Sequence, residues 1–317
     1  MYIITNKLNF YAKLYSYFYP RKWLPKKLLA FAKGRLRKIA NQRVPGYLAK
    51  PCHYSAMVHK NLIVSFTSFP ERIDEVWQVV ECIKRQTILP EKILLWLSED
   101  QFSSKQSIPE SLKVRIDDIF EVRWVKGNIR SHKKYYYVLE DYPHADVILI
   151  DDDIHYPTNM IEKLLKAKKD YPNAILCRYG YIMQYEKDGN LKSYRKWKHN
   201  YSAYNGDNLF FGSGGGTLLR KDLLYQDVLN LDLSQKMVPT ADDIWLNAMA
   251  NLQKSNIVML PAGRVLSFNT HNKGKLSLVN MAENQNDVQI ENVRKYYIDK
   301  LGVDPFECKD KDKQSVE

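Results

Sequence analysis

The stretch VILIDDDIHYPTN, from Val147 to Asn159, places four apolar residues directly before Asp151, Asp152 and Asp153. The apolar run predicts a buried strand that ends at Ile150. Three neighbouring carboxylates repel one another and raise one another's pKa unless a cation compensates them. The sequence therefore predicts that a cation meets this end of the strand.

Strand and helix patterns alternate on both sides of this stretch. The predicted strands are Leu62–Phe66, Ile93–Leu97, Val122–Val125, Val147–Ile150 and Ile257–Leu260. The predicted helices run from Ile73 to Ile83, from Met160 to Tyr171 after a capping box of Asn159 and Glu162, and from the ADD sequence at 241–243 to Leu252. Apolar strands separated by helices are typical of an α/β fold with a mostly parallel sheet covered on both faces. Ligands bind at the carboxyl ends of such strands, where the three aspartates lie.

The basic charge is concentrated at the amino-terminal end. The chain of 317 residues has a formal net charge of +12, from 48 basic and 36 acidic residues. Residues 1–50 hold twelve Lys or Arg and no acid, so the remaining 36 basic residues balance the 36 acidic ones. Basic and aromatic residues are interleaved in this arm, and no apolar run in it reaches the roughly 20 residues needed to span a bilayer. Two interpretations stand: an arm on an anionic membrane surface, or a helical extension that packs on its own domain.

These patterns divide the chain into three parts. We expect a basic aromatic arm over 1–50, a catalytic domain over 51–307 and a disordered tail over 308–317. Four widely spaced cysteines, with no CxxC pair, predict free thiols in a reducing compartment and no zinc site. The expected location is the cytoplasm, peripheral on the inner face of the membrane if the arm docks there.

The carboxylates themselves suggest a metal. Carboxylate oxygens are hard ligands suited to Mg²⁺ or Mn²⁺, which bridge readily to a diphosphate. In an extended segment Asp151 and Asp153 would project to one side and Asp152 to the other. The alternative is a solvated acidic turn before the next helix.

The order of the motifs resembles the GT-A fold glycosyltransferases, which transfer sugars from nucleotide-sugar donors. The matching residues are ILIDDD (Ile148–Asp153), GSGGG (Gly212–Gly216), ADD (Ala241–Asp243) and His271, and the resemblance covers about residues 60–275. It implies a metal held by Asp151, Asp153 and His271, and nucleotide-sugar binding by Asp151 and Asp152. It also implies a catalytic base in the acidic pair, Asp243 before Asp242. Where the family often has Glu-Asp this chain has Asp-Asp, so the carboxylate that faces the acceptor is left open, as is the choice between inversion and retention.

Other polar segments complete the predicted donor site. Thr67 and Ser68 could bond the base or ribose and Arg72 a phosphate, although Ser68 could instead cap a helix. Arg130, Lys133 and Lys134 could meet donor phosphates, or form a solvated basic helix face. Gly214 and Gly215 could let the backbone approach the sugars, or form only a flexible turn.

The expected partners are a nucleotide-sugar donor, a glycan or lipid-linked acceptor and an anionic membrane surface. Two other functions compete with sugar transfer. A metal-dependent phosphoesterase or nucleotide-sugar hydrolase would also use clustered aspartates, but would need a fuller ligand set. A nucleic-acid-binding protein would explain the arm, but the neutral body argues against nucleic acid as a partner.

Overall fold

The protein is described by a computed structural model that covers residues 26–52, 56–104, 107–200, 202–261, 266–267 and 284–308. A seven-stranded sheet forms its centre. Its strands lie in the order β11 (Asn256–Met259), β6 (Ala174–Cys177), β10 (Gly215–Leu219), β4 (Asp146–Ile150), β1 (Met57–Thr67), β2 (Ile88–Ser98) and β3 (Phe120–Val125). β1 pairs in parallel with β2 and with β4, β2 with β3, and β6 with β11, whereas β10 is antiparallel to both its neighbours. The predicted mostly parallel α/β sheet is confirmed.

The strands and helices within the described ranges have the following bounds. The strands are β1 (Met57–Thr67), β2 (Ile88–Ser98), β3 (Phe120–Val125), β4 (Asp146–Ile150), β5 (Ile154–His155), β6 (Ala174–Cys177), β7 (Gly180–Ile182), β8 (Lys198–Asn200), β9 (Leu209–Phe211), β10 (Gly215–Leu219), β11 (Asn256–Met259) and β12 (Leu266–Ser267). The helices are α1 (Lys26–Leu48), α2 (Trp77–Lys84), α3 (Glu110–Lys113), α4 (Lys133–Asp141), α5 (Met160–Asp170), α6 (Leu231–Met237), α7 (Asp242–Leu252) and α8 (Gln285–Leu301).

Alternating side chains of the central strands point to opposite faces of the sheet. In β1, Leu62 and Val64 join the core on one face, with residues of α1, α2 and α5, and Ile63 joins the core on the other face, with residues of α4, α7 and α8. β2 and β4 divide their residues in the same way. Both faces are therefore buried, which explains why the strands are continuous apolar runs in the sequence.

Most predicted elements are present, but one predicted cap is wrong. Asn159 lies before α5 and makes no side-chain capping bond, and the Glu162 carboxylate accepts a bond from Thr87 Oγ1 at 2.7 Å. The four cysteines are free thiols, as predicted, and three of them are buried.

The carboxyl-terminal part of the basic arm packs on the domain. Ala40, Val44 and Leu48 of α1 are buried in the core beside α2. Arg85 at the end of α2 donates hydrogen bonds to the carbonyl oxygens of Leu48 and Lys50, at 2.9 and 2.6 Å. The packing interpretation therefore holds for residues 40–50. Among the described residues, no helix has the length and apolar character that crossing a membrane requires.

Parts of the predicted organisation lie outside the described residues. Residues 1–25, which carry much of the arm, belong to this group, as do His271 and residues 309–317 of the predicted tail. Cys308, the first residue of that tail, is buried. The three-part division of the chain stays a prediction.

Candidate active site

A cleft of about 520 Å³ opens at the carboxyl ends of the parallel strands, where the sequence places Asp151–Asp153. That volume falls in the range of small-molecule sites. Thirteen residues of the predicted site lie in the described part of the chain, counting the donor, metal and acidic-pair candidates together, and eleven of them line this cleft. They are Thr67, Ser68, Arg72, Arg130, Lys133, Lys134, Asp151, Asp152, Asp153, Asp242 and Asp243. The fold thus gathers residues that are up to 176 positions apart in the sequence.

Basic side chains of the protein itself contact the three aspartates. β4 ends at Ile150 and a turn at Asp152–Asp153 follows, so the predicted strand-like extension through the aspartates is wrong, although Asp152 is buried apart from the partly exposed Asp151 and Asp153. Asp152 is buried, where it accepts bonds from Ser68 Oγ at 2.6 Å and from an Arg72 guanidinium nitrogen at 2.7 Å. The same Arg72 nitrogen lies 3.3 Å from Asp153 Oδ2. Because Asp152 is buried and Ser68 bonds to it, the solvated-turn and helix-capping alternatives are also wrong.

A buried lysine joins the aspartate turn to the acidic pair of α7. Lys134 Nζ lies 2.9 Å from Asp151 Oδ1 and 3.0 Å from Asp242 Oδ2. Burial alone would lower the pKa of Lys134, but the two carboxylates raise it above its ordinary value. Lys134 is therefore a permanent internal cation, and the solvated-face alternative is wrong for it.

Asp242 and Asp243 open α7, as predicted, and differ in their surroundings. Asp242 is buried and accepts a bond from Ser213 Oγ at 2.8 Å. Burial would raise the pKa of Asp242, but Lys134 and then His132 outweigh it and the pKa is lowered. Burial and the neighbouring charge of Asp242 raise the pKa of Asp243 to about 7. Asp243 is thus a cleft carboxyl group that exchanges its proton near neutral pH.

Lys133 is the other buried lysine of the cleft, and its described hydrogen-bond partners are neutral. Its ammonium group donates to the amide oxygens of Asn128 at 2.8 Å and Gln101 at 3.2 Å. Burial and the charge of Arg130 lower its pKa to about 8. Arg130 itself is exposed at the cleft edge. A buried cation that no carboxylate neutralises favours an anionic ligand, and the solvated-face alternative is wrong for Lys133 as well.

The remaining predicted donor residues have internal contacts of their own. Thr67 Oγ1 donates to the carbonyl oxygen of Trp96 at 2.8 Å. Arg72 Nε is buried and has no hydrogen-bond partner among the described residues. Arg72 therefore keeps one donor group for a ligand, in addition to its bonds to the aspartates.

The glycine cluster makes room for two side chains of the site. A Cβ on Gly214 would lie 1.9 Å from Asp151 Oδ2, and a Cβ on Gly215 would lie 2.2 Å from the Tyr179 ring. The Gly214 carbonyl oxygen also accepts bonds from the Asp151 backbone N–H and the Tyr156 hydroxyl. The flexible-turn alternative is wrong for Gly215, which belongs to β10 and is buried, whereas Gly214 lies in the turn that precedes it. A direct contact of Gly214 or Gly215 with a sugar stays a prediction.

Sequence reasoning missed an aromatic wall of the cleft. Tyr179, Tyr181 and Tyr194 line the cleft together with Asp242 and Asp243. Tyr179 directly precedes β7, Tyr181 lies within it and Tyr194 lies in a short turn before β8, and β7, β8 and β9 form a separate three-stranded sheet. No motif in the sequence marks these three residues.

The candidate metal ligands among the described residues, Asp151 and Asp153, fit a hard divalent cation in part. The side chains of Asp151 and Asp153 are 36% and 21% exposed and both line the cleft. Their free surface could meet a cation that also contacts a ligand's phosphate oxygens. Within the described ranges, no group of three or more His, Cys, Asp or Glu side chains is arranged to hold a metal, and His271 lies outside them.

Comparison with known proteins gives no family. No family model and no curated protein matches the chain. The chain is similar to a UTP-bound UGPase from Acinetobacter baumannii, at 9% identity and a TM-score of 0.41, over 77% of this chain and 94% of that one. It is also similar to a UDP-glucose pyrophosphorylase complexed with UDP-glucose (10% identity, TM-score 0.40, 77% and 99% coverage) and to HddC from Yersinia pseudotuberculosis (13%, 0.32, 53% and 78%). At such identities and scores, only the site's own side chains can carry a functional assignment.

Proposed function

We propose that this chain is a glycosyltransferase that moves a sugar from a nucleoside-diphosphate sugar to a hydroxyl group of an acceptor, with inversion. One observation carries the proposal: Asp243 faces the cleft with a pKa raised to about 7, beside an Asp242 that Lys134 keeps ionised. A general base works best when its pKa lies near the working pH.

The charged part of the cleft supports binding of a nucleoside diphosphate. Lys133 is a buried cation without a carboxylate partner, and Arg72 Nε is a buried donor without a partner among the described residues. Both groups line the cleft and suit phosphate oxygens. Lys134, whose charge two carboxylates already neutralise, would position Asp151 and Asp242 and make no phosphate contact.

In the proposed reaction Asp243 takes the proton of the acceptor hydroxyl group as the hydroxyl oxygen attacks the anomeric carbon. The new bond joins that oxygen to the anomeric carbon, the bond from the anomeric carbon to the diphosphate oxygen breaks, and its electron pair leaves with the diphosphate. Mn²⁺ or Mg²⁺, bound at Asp151 and Asp153 with His271 as a further candidate, would neutralise charge on the diphosphate. Lys133 and Arg72 would orient the diphosphate.

A donor screen by mass spectrometry tests the proposal. The full chain is incubated with Mn²⁺, single nucleotide-sugars and a mixture of oligosaccharide acceptors. Sugar transfer that releases a nucleoside diphosphate would support it. Release of free sugar that exceeds transfer to every acceptor would assign a hydrolase instead. Formation of nucleotide-sugar from nucleoside triphosphate and sugar phosphate, without sugar transfer, would assign a nucleotidyltransferase.

A further inference from the structure

The cleft has two kinds of lining. Arg72 and Asp151–Asp153 give it charged groups, and Tyr179, Tyr181 and Tyr194 add aromatic rings. Asp243 and the Tyr179 ring both lie against the glycine cluster, because the Ser213 backbone N–H donates to Asp243 at 2.8 Å and a Cβ on Gly212 or Gly215 would strike the ring. A ligand seated on the rings would therefore lie beside the proposed base.

Two of the three rings, Tyr181 and Tyr194, are in direct contact. The centroids of Tyr181 and Tyr194 are 5.1 Å apart, and the rings are tilted by 48°. The ring centroid of His199 in β8 lies 4.1 Å from that of Tyr181, and the Trp197 centroid lies 4.8 Å from that of Tyr194. Stacked and tilted rings at these distances support one another.

The rings are also held in place before any ligand arrives. The Tyr194 backbone N–H and the Ser193 hydroxyl donate to the Asp287 carboxylate, both at 2.7 Å. Trp197 is buried and its indole N–H donates to the Lys192 carbonyl oxygen at 2.8 Å. A Cβ on Gly212 or Gly215 would strike the Tyr179 ring at 2.4 or 2.2 Å, so the glycine cluster keeps the space in which that ring lies.

Partly buried tyrosine rings that line a cleft suit one kind of acceptor. A pyranose ring has an apolar face of C–H groups, which packs on an aromatic ring, and an edge of hydroxyl groups, which can bond to tyrosine hydroxyls and carboxylates. Neither a lipid tail nor an extended peptide chain presents both an apolar face of C–H groups and an edge of hydroxyl groups. We infer that Tyr179, Tyr181 and Tyr194 form the acceptor subsite and that it takes a sugar pyranose ring, so that the group glycosylated at Asp243 is a sugar hydroxyl. The assignment of this subsite to the acceptor rests on the proposed function.

Direct binding of methyl glycosides tests the inference without any transfer reaction. The probes are methyl glycosides of glucose, galactose, mannose and N-acetylglucosamine, with a serine-containing tetrapeptide and octyl phosphate as non-sugar probes. Ligand-observed saturation-transfer NMR measures binding to the full chain. We expect at least one glycoside to bind, with the strongest transfer to the C–H protons of one face of its ring.

Three variants locate the binding. Tyr194→Ala should weaken the bound glycoside about tenfold, whereas Tyr194→Phe, which keeps the ring, should weaken it by less than threefold. Tyr171→Ala removes an exposed tyrosine that does not line the cleft and should change nothing. Near-ultraviolet circular dichroism checks that each variant is folded. Should Tyr194→Ala unfold, Tyr181→Ala serves in its place.

The outcomes separate this inference from the proposed function. Binding of no glycoside, equal binding by the tyrosine-to-alanine variant, or preferred binding of the peptide or the octyl phosphate would overturn the subsite. Loss of glycoside binding in Tyr194→Ala, with nucleoside-diphosphate affinity unchanged by calorimetry, would support it. If glycosides bind at Tyr194 but no nucleotide-sugar is used in the donor screen, the subsite stands and the transferase proposal fails.

Discussion

Asp242 and Asp243 are neighbours in the chain, yet the structure shifts their pKa values in opposite directions. Lys134 contacts Asp242 at 3.0 Å and keeps it ionised, and the resulting charge, together with burial, raises the pKa of Asp243 to about 7. The Ser213 backbone N–H fixes the Asp243 carboxyl group at 2.8 Å. One acid thus serves as a fixed charge and the other as a group that can gain and lose a proton.

The first prediction concerns the base. Asp243→Asn keeps the shape of the side chain but cannot accept a proton, so we expect the transfer rate to fall about 10²-fold or more, with donor affinity near normal. In the unchanged protein, kcat/KM should rise with pH up to about 7 and then level off, because the base works in its ionised form. Steady-state kinetics from pH 5 to 9 measures both. If Asp242→Asn has this profile and Asp243→Asn does not, the roles are exchanged.

The second prediction concerns stability and its dependence on pH. The ordinary pKa of 3.8 for Asp243 is raised to about 7 in the folded protein. Between these values the folded state binds the proton and the unfolded state does not, so this group makes stability fall as pH rises, and its full cost is present above pH 7. Asp243→Asn removes the cost. Its melting temperature should exceed that of the unchanged protein at pH 8, and the difference should shrink toward pH 4. A difference that scanning calorimetry finds equal at both pH values would contradict the raised pKa.

Much of the fold could be predicted because its strands are buried on both faces. Val147–Ile150 and Ile93–Leu97 are apolar at every position, and that pattern belongs to a covered parallel sheet. The antiparallel β10 was not predicted, because Gly215–Leu219 follows glycines that read equally well as a turn. Strand direction depends on the path of the chain between the strands, which local patterns do not contain.

Residues of the candidate site could be predicted from the sequence only where the residue type itself indicates one kind of chemistry. The aspartate turn and the Asp242–Asp243 pair were found because clustered carboxylates need an explanation. Lys134 contacts both the aspartate turn and the acidic pair. The residues around it in the sequence do not show that the fold brings two carboxylates to it, so a phosphate contact was predicted instead. Tyr194 was missed because an aromatic residue fits a core as well as a cleft.

The third prediction compares two adjacent lysines. Lys134→Met leaves the buried Asp242 without its cation and should destabilise the protein by about 3–5 kcal/mol, the usual cost of breaking a buried ion pair. Lys133→Met removes a buried charge whose hydrogen-bond partners are amide oxygens, so the free energy of unfolding should change little. Lys133→Met should instead weaken binding of UDP, used as a probe. Urea unfolding and calorimetry measure the two quantities. Equal destabilisation by both variants would contradict the different roles.

The fourth prediction concerns the proposed cation. Mn²⁺ should tighten UDP binding to the unchanged protein, since a diphosphate and the Asp151 and Asp153 carboxylates would share the ion. Asp153→Ala should remove this Mn²⁺ effect, and EDTA should abolish transfer. The matched control is Asp299→Ala on α8, which does not line the cleft and should keep the full Mn²⁺ effect. Transfer at full rate in EDTA would rule out the cation.

The fifth prediction separates the two parts of the amino-terminal arm. Residues 40–48 pack on the core, so Leu48→Ala should cost about 2–5 kcal/mol of unfolding free energy. The outer surface of α1 carries exposed side chains, namely Phe31, Arg35, Lys38 and Arg43. Reversing the three exposed charges with Arg35→Glu, Lys38→Glu and Arg43→Glu should leave the melting temperature nearly unchanged.

The same charge reversal tests whether the arm docks on a membrane. Each Lys or Arg near an anionic surface contributes about 1 kcal/mol, and salt weakens the attraction. In sedimentation with phosphatidylglycerol vesicles, the triple variant should therefore bind at least tenfold more weakly than the unchanged protein. The control carries the same change of charge away from α1, at the exposed Lys166, Lys169 and Lys236. If the control variant loses vesicle binding to the same extent, the net charge of the protein alone accounts for the binding. No binding of the unchanged protein would leave α1 as a structural helix, held by the packing of Ala40, Val44 and Leu48 on the core and by the Arg85 bond to the Leu48 carbonyl oxygen.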